Sequence, residues 1–291
     1  MRELRLVSAL DLLENFSGLD GAVSTLQKGV KAVIRPRWLR DLLHGVPFGH
    51  PAHPVAVQIP IGAWMSAAVL DAVPGTDKAA RALVGIGVLS AVPAAVAGAT
   101  DWSDLHEQQM RVGLVHWASN AVAIVLYAGS YVQRRRGKTA SGKMLGYLGL
   151  GAVSLGGFIG GHLAYRQAAG ANHSEDVPHR FPQGWQRLGE LADLAENELT
   201  PRTVAGIPLM VRRRGESVTV LSDVCSHLSA PLHEGAIIDV AGETCVECPW
   251  HGSVFALKDG AVVHGPATSP QPRFQTRVDA GIIEILLPNA G

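Results

Sequence analysis

The strongest constraint on how this chain can fold is a set of four apolar stretches, at roughly 55–73, 83–99, 113–132 and 145–165. Each approaches the twenty or so residues that a helix needs to cross the hydrocarbon of a bilayer. They hold few charges, and Asp77-Lys78, Asp101-Trp102-Ser103-Asp104 and Arg134-Arg135-Arg136 fall in the breaks between them. A helix apolar on every side is either buried all round or faces lipid, and a four-helix soluble bundle cannot bury every face. Small residues recur at packing intervals, as in Gly149-Leu150-Gly151 and Gly156-Gly157-Phe158-Ile159-Gly160-Gly161, which allows close helix contact. Residues 50–167 are therefore expected to form a four-helix transmembrane domain in contact with a lipid bilayer.

The flanking regions have a different character. Residues 1–49 carry two amphipathic faces, Leu6, Ala9, Leu10, Leu13 and Phe16, then Val23, Leu26, Val30 and either Val33 or Ile34, before Pro36 interrupts. Lys28, Lys31, Arg35, Arg37 and Arg40 lie on or near these helices. They either rest on an anionic lipid surface or pack on the protein itself. The first residues contain no apolar secretory segment. Residues 168–184, rich in Ala, Gly, Asn, His and Pro, read as a linker. From Trp185 on, short strand-like runs alternate with turns: 209–211, 218–221, 237–240, 262–263, 274–278 and 282–287. That pattern predicts a small antiparallel β domain over 185–291, and hence an α + β chain of two domains.

Net charge is zero, which points away from a nucleic-acid partner. Only three cysteines occur, so there is no disulfide framework. Two of them stand in mixed clusters, Cys225-Ser226-His227 and Cys248-Pro249-Trp250-His251-Gly252. Two thiolates and two imidazoles can hold a 2Fe-2S cluster in which His replaces Cys on one iron, or a structural zinc ion. Zinc fingers usually pair Cys with Cys and His with His, whereas each cluster here mixes them. The third cysteine, Cys245, lies in a strand-like run, Thr244-Cys245-Val246-Glu247, and is expected to be a small buried side chain.

The pattern extends through Ser229-Ala230-Pro231-Leu232-His233-Glu234-Gly235, Gly252-Ser253-Val254-Phe255 and Gly265-Pro266-Ala267-Thr268. With these segments it resembles a Rieske domain. The resemblance implies a 2Fe-2S cluster with Cys225 and Cys248 on the buried iron and His227 and His251 on the outer one. It implies a redox partner protein as well: a reductase, an oxygenase or a quinone-linked enzyme. In the Rieske proteins of quinol-oxidising cytochrome bc complexes, each loop carries an extra Cys and the two form a disulfide. Ala230 and Trp250 stand at those positions here, and Phe255 replaces a Tyr that donates to a ligand sulfur, leaving Ser253 as a donor. Fewer hydrogen bonds to sulfur lower the potential. The domain is thus similar to the low-potential ferredoxin-type branch and to the small subunit of assimilatory nitrite reductase. About forty residues follow His251, too few for the mononuclear-iron domain of a Rieske oxygenase, so a terminal oxygenase alone is not expected.

The apolar block resembles an uncharacterised bacterial family of four-helix membrane domains. The similarity lies in Gly49-His50-Pro51-Ala52-His53-Pro54, Ile59-Pro60-Ile61-Gly62-Ala63-Trp64, Gly98-Ala99-Thr100-Asp101-Trp102, Gly113-Leu114-Val115-His116 and Gly160-Gly161-His162-Leu163-Ala164-Tyr165. The family implies a fold and no chemistry. With four spans, His50, His53, Asp101, Asp104, His106, His116 and His162 gather at the face from which the β domain emerges. His53, His116 and His162 could hold a haem b or another metal there, or simply cap helices and hydrogen-bond within the bundle. Lys and Arg near the span ends are about evenly divided, so the positive-inside rule does not decide orientation. A cluster assembled in the cytoplasm, without a twin-arginine signal, places the domain on the cytoplasmic side of a bacterial inner membrane. Three functions follow: a membrane-anchored electron carrier, a two-centre membrane oxidoreductase, or a redox sensor whose membrane domain only anchors it.

Overall fold

A computed structural model describes residues 5–288. The chain divides into two compact units, one formed by residues 1–39 and 51–169, the other by 40–50 and 170–291.

The first unit is helical. Its helices are α1 (Arg5–Glu14), α2 (Asp20–Val33), the start of α3 (Arg37–His44), α4 (Ala52–Ala56), α5 (Gln58–Asp71), α6 (Asp77–Trp102), α7 (Glu107–Arg135) and α8 (Thr139–Tyr165). The α4–α5 break at Val57 has a local cause: Pro60 has no N–H to return to the Ala56 carbonyl. Taken with that break, four helical segments of 20, 26, 29 and 27 residues are long and apolar enough to cross a membrane. Only 22–28% of each apolar window is buried within the protein, and Leu89, Val92 and Val125 point outward. An apolar surface that extensive is what lipid-facing helices present.

Glycine sets the packing. On α8, Gly142, Gly149, Gly156 and Gly160 lie against Arg134, Tyr127, Asn120 and His116 of α7. Gly87 of α6 receives Trp64, whose ring stacks on Tyr127 with centroids 4.2 Å apart. Large side chains thus fill spaces left by absent ones, and the helix backbones approach closely. A buried ion pair, Arg134 Nη1 to Asp71 Oδ1 at 2.7 Å, ties α7 to α5. The N-terminal helices pack on the protein. Leu10 joins Val112 and Ile159 in a core cluster, Arg111 is bidentate to Asp20, and Lys31 Nζ lies 2.8 Å from Asp104.

The second unit is the β domain. Its strands are β1 (Gln186–Glu190), β2 (Leu199–Val204), β3 (Ile207–Arg214), β4 (Ser217–Ser222), β5 (Ala236–Val240), β6 (Glu243–Glu247), β7 (Val254–Ala256), β8 (Val262–His264), β9 (Arg273–Asp279) and β10 (Ile282–Leu286). They form a six-stranded sheet in the order β1-β10-β9-β4-β3-β2 and a four-stranded sheet β5-β6-β7-β8, paired antiparallel. Side chains alternate along a strand, and this divides the core. Ile207, Leu209 and Val211 of β3 enter one cluster, while Met210 and Leu221 enter a second that also holds Cys225 and Cys248. Among the strands unmarked by apolar pattern, β1 and β2 are the two sheet edges, which pair on one side and need little apolar patterning.

The segment expected as a linker does more than connect. Val177, which opens the short helix α9 (Val177–Arg180), and Phe181, which follows it, are buried in the β core, with the Phe181 ring 4.8 Å from Phe274. Residues 40–50 also belong to this unit, although sequence places 40–49 with the N-terminal helices and 50 with the apolar block. Asp41 accepts from the Gly265 N–H at 3.0 Å and pairs with His264 Nδ1 at 2.8 Å.

Candidate metal centre

The two Cys/His segments are one turn built twice. In the β4–β5 connection, the Cys225 N–H donates to Ala230 O (2.9 Å) and the Ser229 N–H to Cys225 O (2.9 Å). In the β6–β7 connection, the Cys248 N–H donates to Ser253 O (2.8 Å) and the Gly252 N–H to Cys248 O (3.1 Å). The fourth residue after each Cys has a positive φ, 64° at Ser229 and 71° at Gly252. Glycine takes that conformation freely, whereas a serine there carries a cost of about 1 kcal/mol. His173 Nδ1 lies 3.0 Å from the Ser229 hydroxyl and helps hold it in place.

Both sulfurs are buried and share a hydrogen bond. Backbone N–H groups of His227 and Leu228 aim at Cys225, and those of Trp250 and His251 at Cys248. The bond from Cys225 pushes the Cys248 thiol down to about 7 against the opposing effect of burial, and the Trp250 and His251 amides assist. The donor thiol, Cys225, is pushed up by the same bond and then by burial. Amides aimed at sulfur favour the anionic thiolate that a metal requires.

The imidazoles lie further out: His227 is at the edge of burial and His251 is half-buried. Their ring centres are 5.0 Å apart and their planes nearly perpendicular, at 84°. An imidazole nitrogen lies about 1.1 Å from its ring centre and roughly 2.1 Å from a bound metal, so two imidazoles at a tetrahedral angle have centres about 5.2 Å apart. Two deep sulfurs and two outer imidazoles at that separation fit a 2Fe-2S cluster with mixed ligation.

Other residues brace the loops, and two of them, Gln271 and Asp223, lie outside the motif. Buried Gln271 accepts from the Ser226 N–H (2.9 Å) and donates to Ser222 O (3.0 Å) and Val224 O (2.7 Å). Asp223 accepts from the His233 N–H (2.8 Å), and the His233 ring lies against its other oxygen (2.6 Å). The Ser253 hydroxyl accepts from the Ala267 N–H at 2.9 Å, which joins the second loop to the Gly265–Thr268 segment. Cys245 lies on the opposite face of β6 from Val246, in a core with Val254 and Ala256, apart from the cluster that holds Cys225 and Cys248.

Among the membrane-block histidines, His53 and His116 meet ring to ring, with centroids 6.3 Å apart at 85°. His162 is engaged elsewhere, its Nε2 3.1 Å from Glu14. His162, Glu14 and Asp11 are, among the described residues, the one group of three His, Cys, Asp or Glu with ligand atoms within 4.8 Å of one another. Arg166 already neutralises Asp11 (2.9 Å), and Arg111 donates to the Glu14 carbonyl (2.7 Å), so the group is an ion-pair network at the α1 junction.

A small β domain with two mixed Cys/His turns over a shared core offers the donor set of a metal-cluster domain. Residues 184–275 match the Rieske [2Fe-2S] domain family, and residues 49–173 match a family described as "Predicted membrane protein (DUF2231)". The anthranilate 1,2-dioxygenase ferredoxin subunit of Burkholderia cepacia is 33% identical over 101 residues, covering 35% of this chain and 90% of that protein. The 3-phenylpropionate/cinnamic acid dioxygenase ferredoxin subunit of Escherichia coli (strain K12) is 34% identical over 100 residues, covering 34% of this chain and 91% of that protein. Among solved structures, the ferredoxin of carbazole 1,9a-dioxygenase from Nocardioides aromaticivorans IC177 matches at 31% identity and a TM-score of 0.33, covering 36% of this chain and 98% of that one. The chain belongs to the Rieske [2Fe-2S] family: it carries a ferredoxin-type electron-transfer domain and its 2Fe-2S cluster, joined to a membrane-protein domain. Zinc is thereby set aside.

Proposed function

We propose that this protein is a membrane-anchored carrier that passes single electrons through its 2Fe-2S cluster. Cys225 and Cys248 hold the inner iron, and His227 and His251 the outer one. When bound, the cluster supplies reversible one-electron chemistry at a potential raised by its imidazole ligands. The chain's residues bury the sulfurs, direct four backbone N–H groups at them and leave the His251 imidazole half-buried. The observation that carries this reading is that gradient, buried sulfur to outer imidazole. It leaves the imidazole edge, beside half-exposed Trp250, as the route by which an electron enters and leaves.

The partner is a redox protein, a reductase or an oxygenase, as the ferredoxin relatives named as dioxygenase subunits support. The four apolar helices cross a bacterial inner membrane, with the Rieske domain on the cytoplasmic side where clusters are assembled. Membranes from an expressing strain test the reading. A reduced Rieske paramagnetic-resonance signal in the membrane fraction, titrating as a one-electron couple between about −150 and 0 mV, is expected. Protease should remove the β domain in inverted vesicles and leave it in right-side-out ones. A signal confined to the soluble fraction would end the anchoring proposal, and a midpoint well above about +150 mV would end the low-potential assignment.

A further inference from the structure

His53 and His116 are held by the same device on two different helices. His53 places Nδ1 2.8 Å from Ala94 O of α6, and His116 places Nδ1 2.8 Å from Gly156 O of α8. Four residues beyond each carbonyl stands a glycine, Gly98 and Gly160. A Cβ at Gly98 would lie 2.7 Å from His53 Nδ1, and one at Gly160 3.0 Å from His116 Cε1. In a helix, the side chain at i+4 shields the carbonyl at i, so each glycine opens a carbonyl already bonded within its helix to a second donor.

A carbonyl only accepts, so each Nδ1 carries a proton and donates it, and in the neutral ring the Nε2 lone pair is left for a metal. This is the arrangement by which metal-binding histidines are oriented. The Asn120 amide nitrogen is 3.4 Å from His116 Nδ1 and 3.3 Å from Nε2. An atom equidistant from both nitrogens lies over the ring face, outside the Nε2 lone-pair direction. That amide donates instead to His116 O, at 2.9 Å.

Ring separation sets the chemistry. By the arithmetic used above, two imidazoles on opposite sides of one metal have centres about 6.4 Å apart, and here they are 6.3 Å apart. Among the described residues, no third His, Cys, Asp or Glu groups with this pair within 4.8 Å. A tetrahedral zinc site is therefore not built here. Two neutral imidazoles offset no divalent charge in this low-dielectric setting, which disfavours a bare doubly charged ion.

We infer that His53 and His116 bind, through their Nε2 atoms and on opposite sides, one transition-metal centre of low net charge. Haem iron, whose porphyrin offsets its charge, and a cuprous ion share that chemistry. The full chain purified in detergent tests this, with iron, copper and haem counted per chain and then haemin or cuprous ion added in a titration. One equivalent of haem with a six-coordinate spectrum, or one of copper without haem, is expected beyond the two irons of the cluster. His53→Ala and His116→Ala should each lose that equivalent, and free imidazole should restore it. Gly98→Ala and Gly160→Ala should weaken binding about 10–100-fold by displacing the rings from their carbonyls. His162→Ala should bind as wild type does, and an unchanged thermal loss of helical signal in detergent reports folding of the bundle in every variant. A wild-type chain that takes up neither haemin nor cuprous ion overturns the inference. So does a centre that survives in His53→Ala or His116→Ala without imidazole, or one that is lost in His162→Ala.

Discussion

One pair of near-perpendicular imidazoles in the β domain and one in the helical unit are built in opposite ways. His227 and His251 sit on short turns, 5.0 Å apart, each two or three residues from a cysteine in the same turn. His53 and His116 sit on separate helices, 6.3 Å apart, with no cysteine in either segment. A turn leaves its backbone amides free, so the cluster loops can aim four N–H groups at sulfur. A helix interior uses its own amides and carbonyls. The helical pair must therefore borrow a second bond from a carbonyl that a glycine uncovers. Loops build a ligand set locally, whereas helices assemble one from distant positions, and that difference sorts the experiments.

The most disruptive change falls on the loops. Cys225→Ser or Cys248→Ser should abolish the cluster, taking cluster iron and the Rieske signal to background, while haem or copper uptake at His53 and His116 persists. Joint loss of both centres would break the separation drawn here. His251→Cys should keep two irons yet remove the Rieske signature. The potential should fall by a few hundred millivolts, toward about −400 mV, as potentiometric titration would record, and Cys245→Ser should leave signal and midpoint alone. In the bundle, Asp71→Asn strands the buried Arg134 charge and should cost about 3–5 kcal/mol. Thermal loss of helical signal in detergent would measure this, with the Rieske midpoint unchanged. The mildest test compares the twin turns. Gly252→Ala forces a side chain into the left-handed region and should cost about 1 kcal/mol, whereas Ser229→Gly relieves that strain at the expense of one bond to His173 and should nearly balance. Melting of cluster absorbance would compare them.

What could be read in advance followed the same division. The Cys/His turns announce themselves because ligand type and spacing are dictated by the metal. Cys245 could be set apart because alternation on β6 sends it to the other face. Strands β3, β4, β9 and β10 were visible as apolar runs, whereas β7, three residues between a ligand turn and a bend, was not. Gln271 gave no signal. It lies 45 residues from Ser226 in sequence, and a lone glutamine has no pattern until the sheet brings it under the loop. Sequence alone places residues 40–49 with the N-terminal helices and reads 168–184 as a linker, because polar, Gly- and Pro-containing stretches look alike whether they link or brace. Asp41 at the Gly265 turn and Phe181 in the β core are visible only in three dimensions.

The four apolar lengths and the two Cys/His turns were thus determined by sequence alone. Lipid thickness and metal coordination are constraints external to the fold, and they act on residue type and spacing along the chain. Which histidines meet was decided by tertiary structure. An even number of spans could bring His53, His116 and His162 to one end, but it could not say which helices touch. The packing draws His162 to Glu14 and turns His53 and His116 onto carbonyls opened by Gly98 and Gly160, because a helix surface offers an imidazole a partner only where a neighbour's side chain is missing.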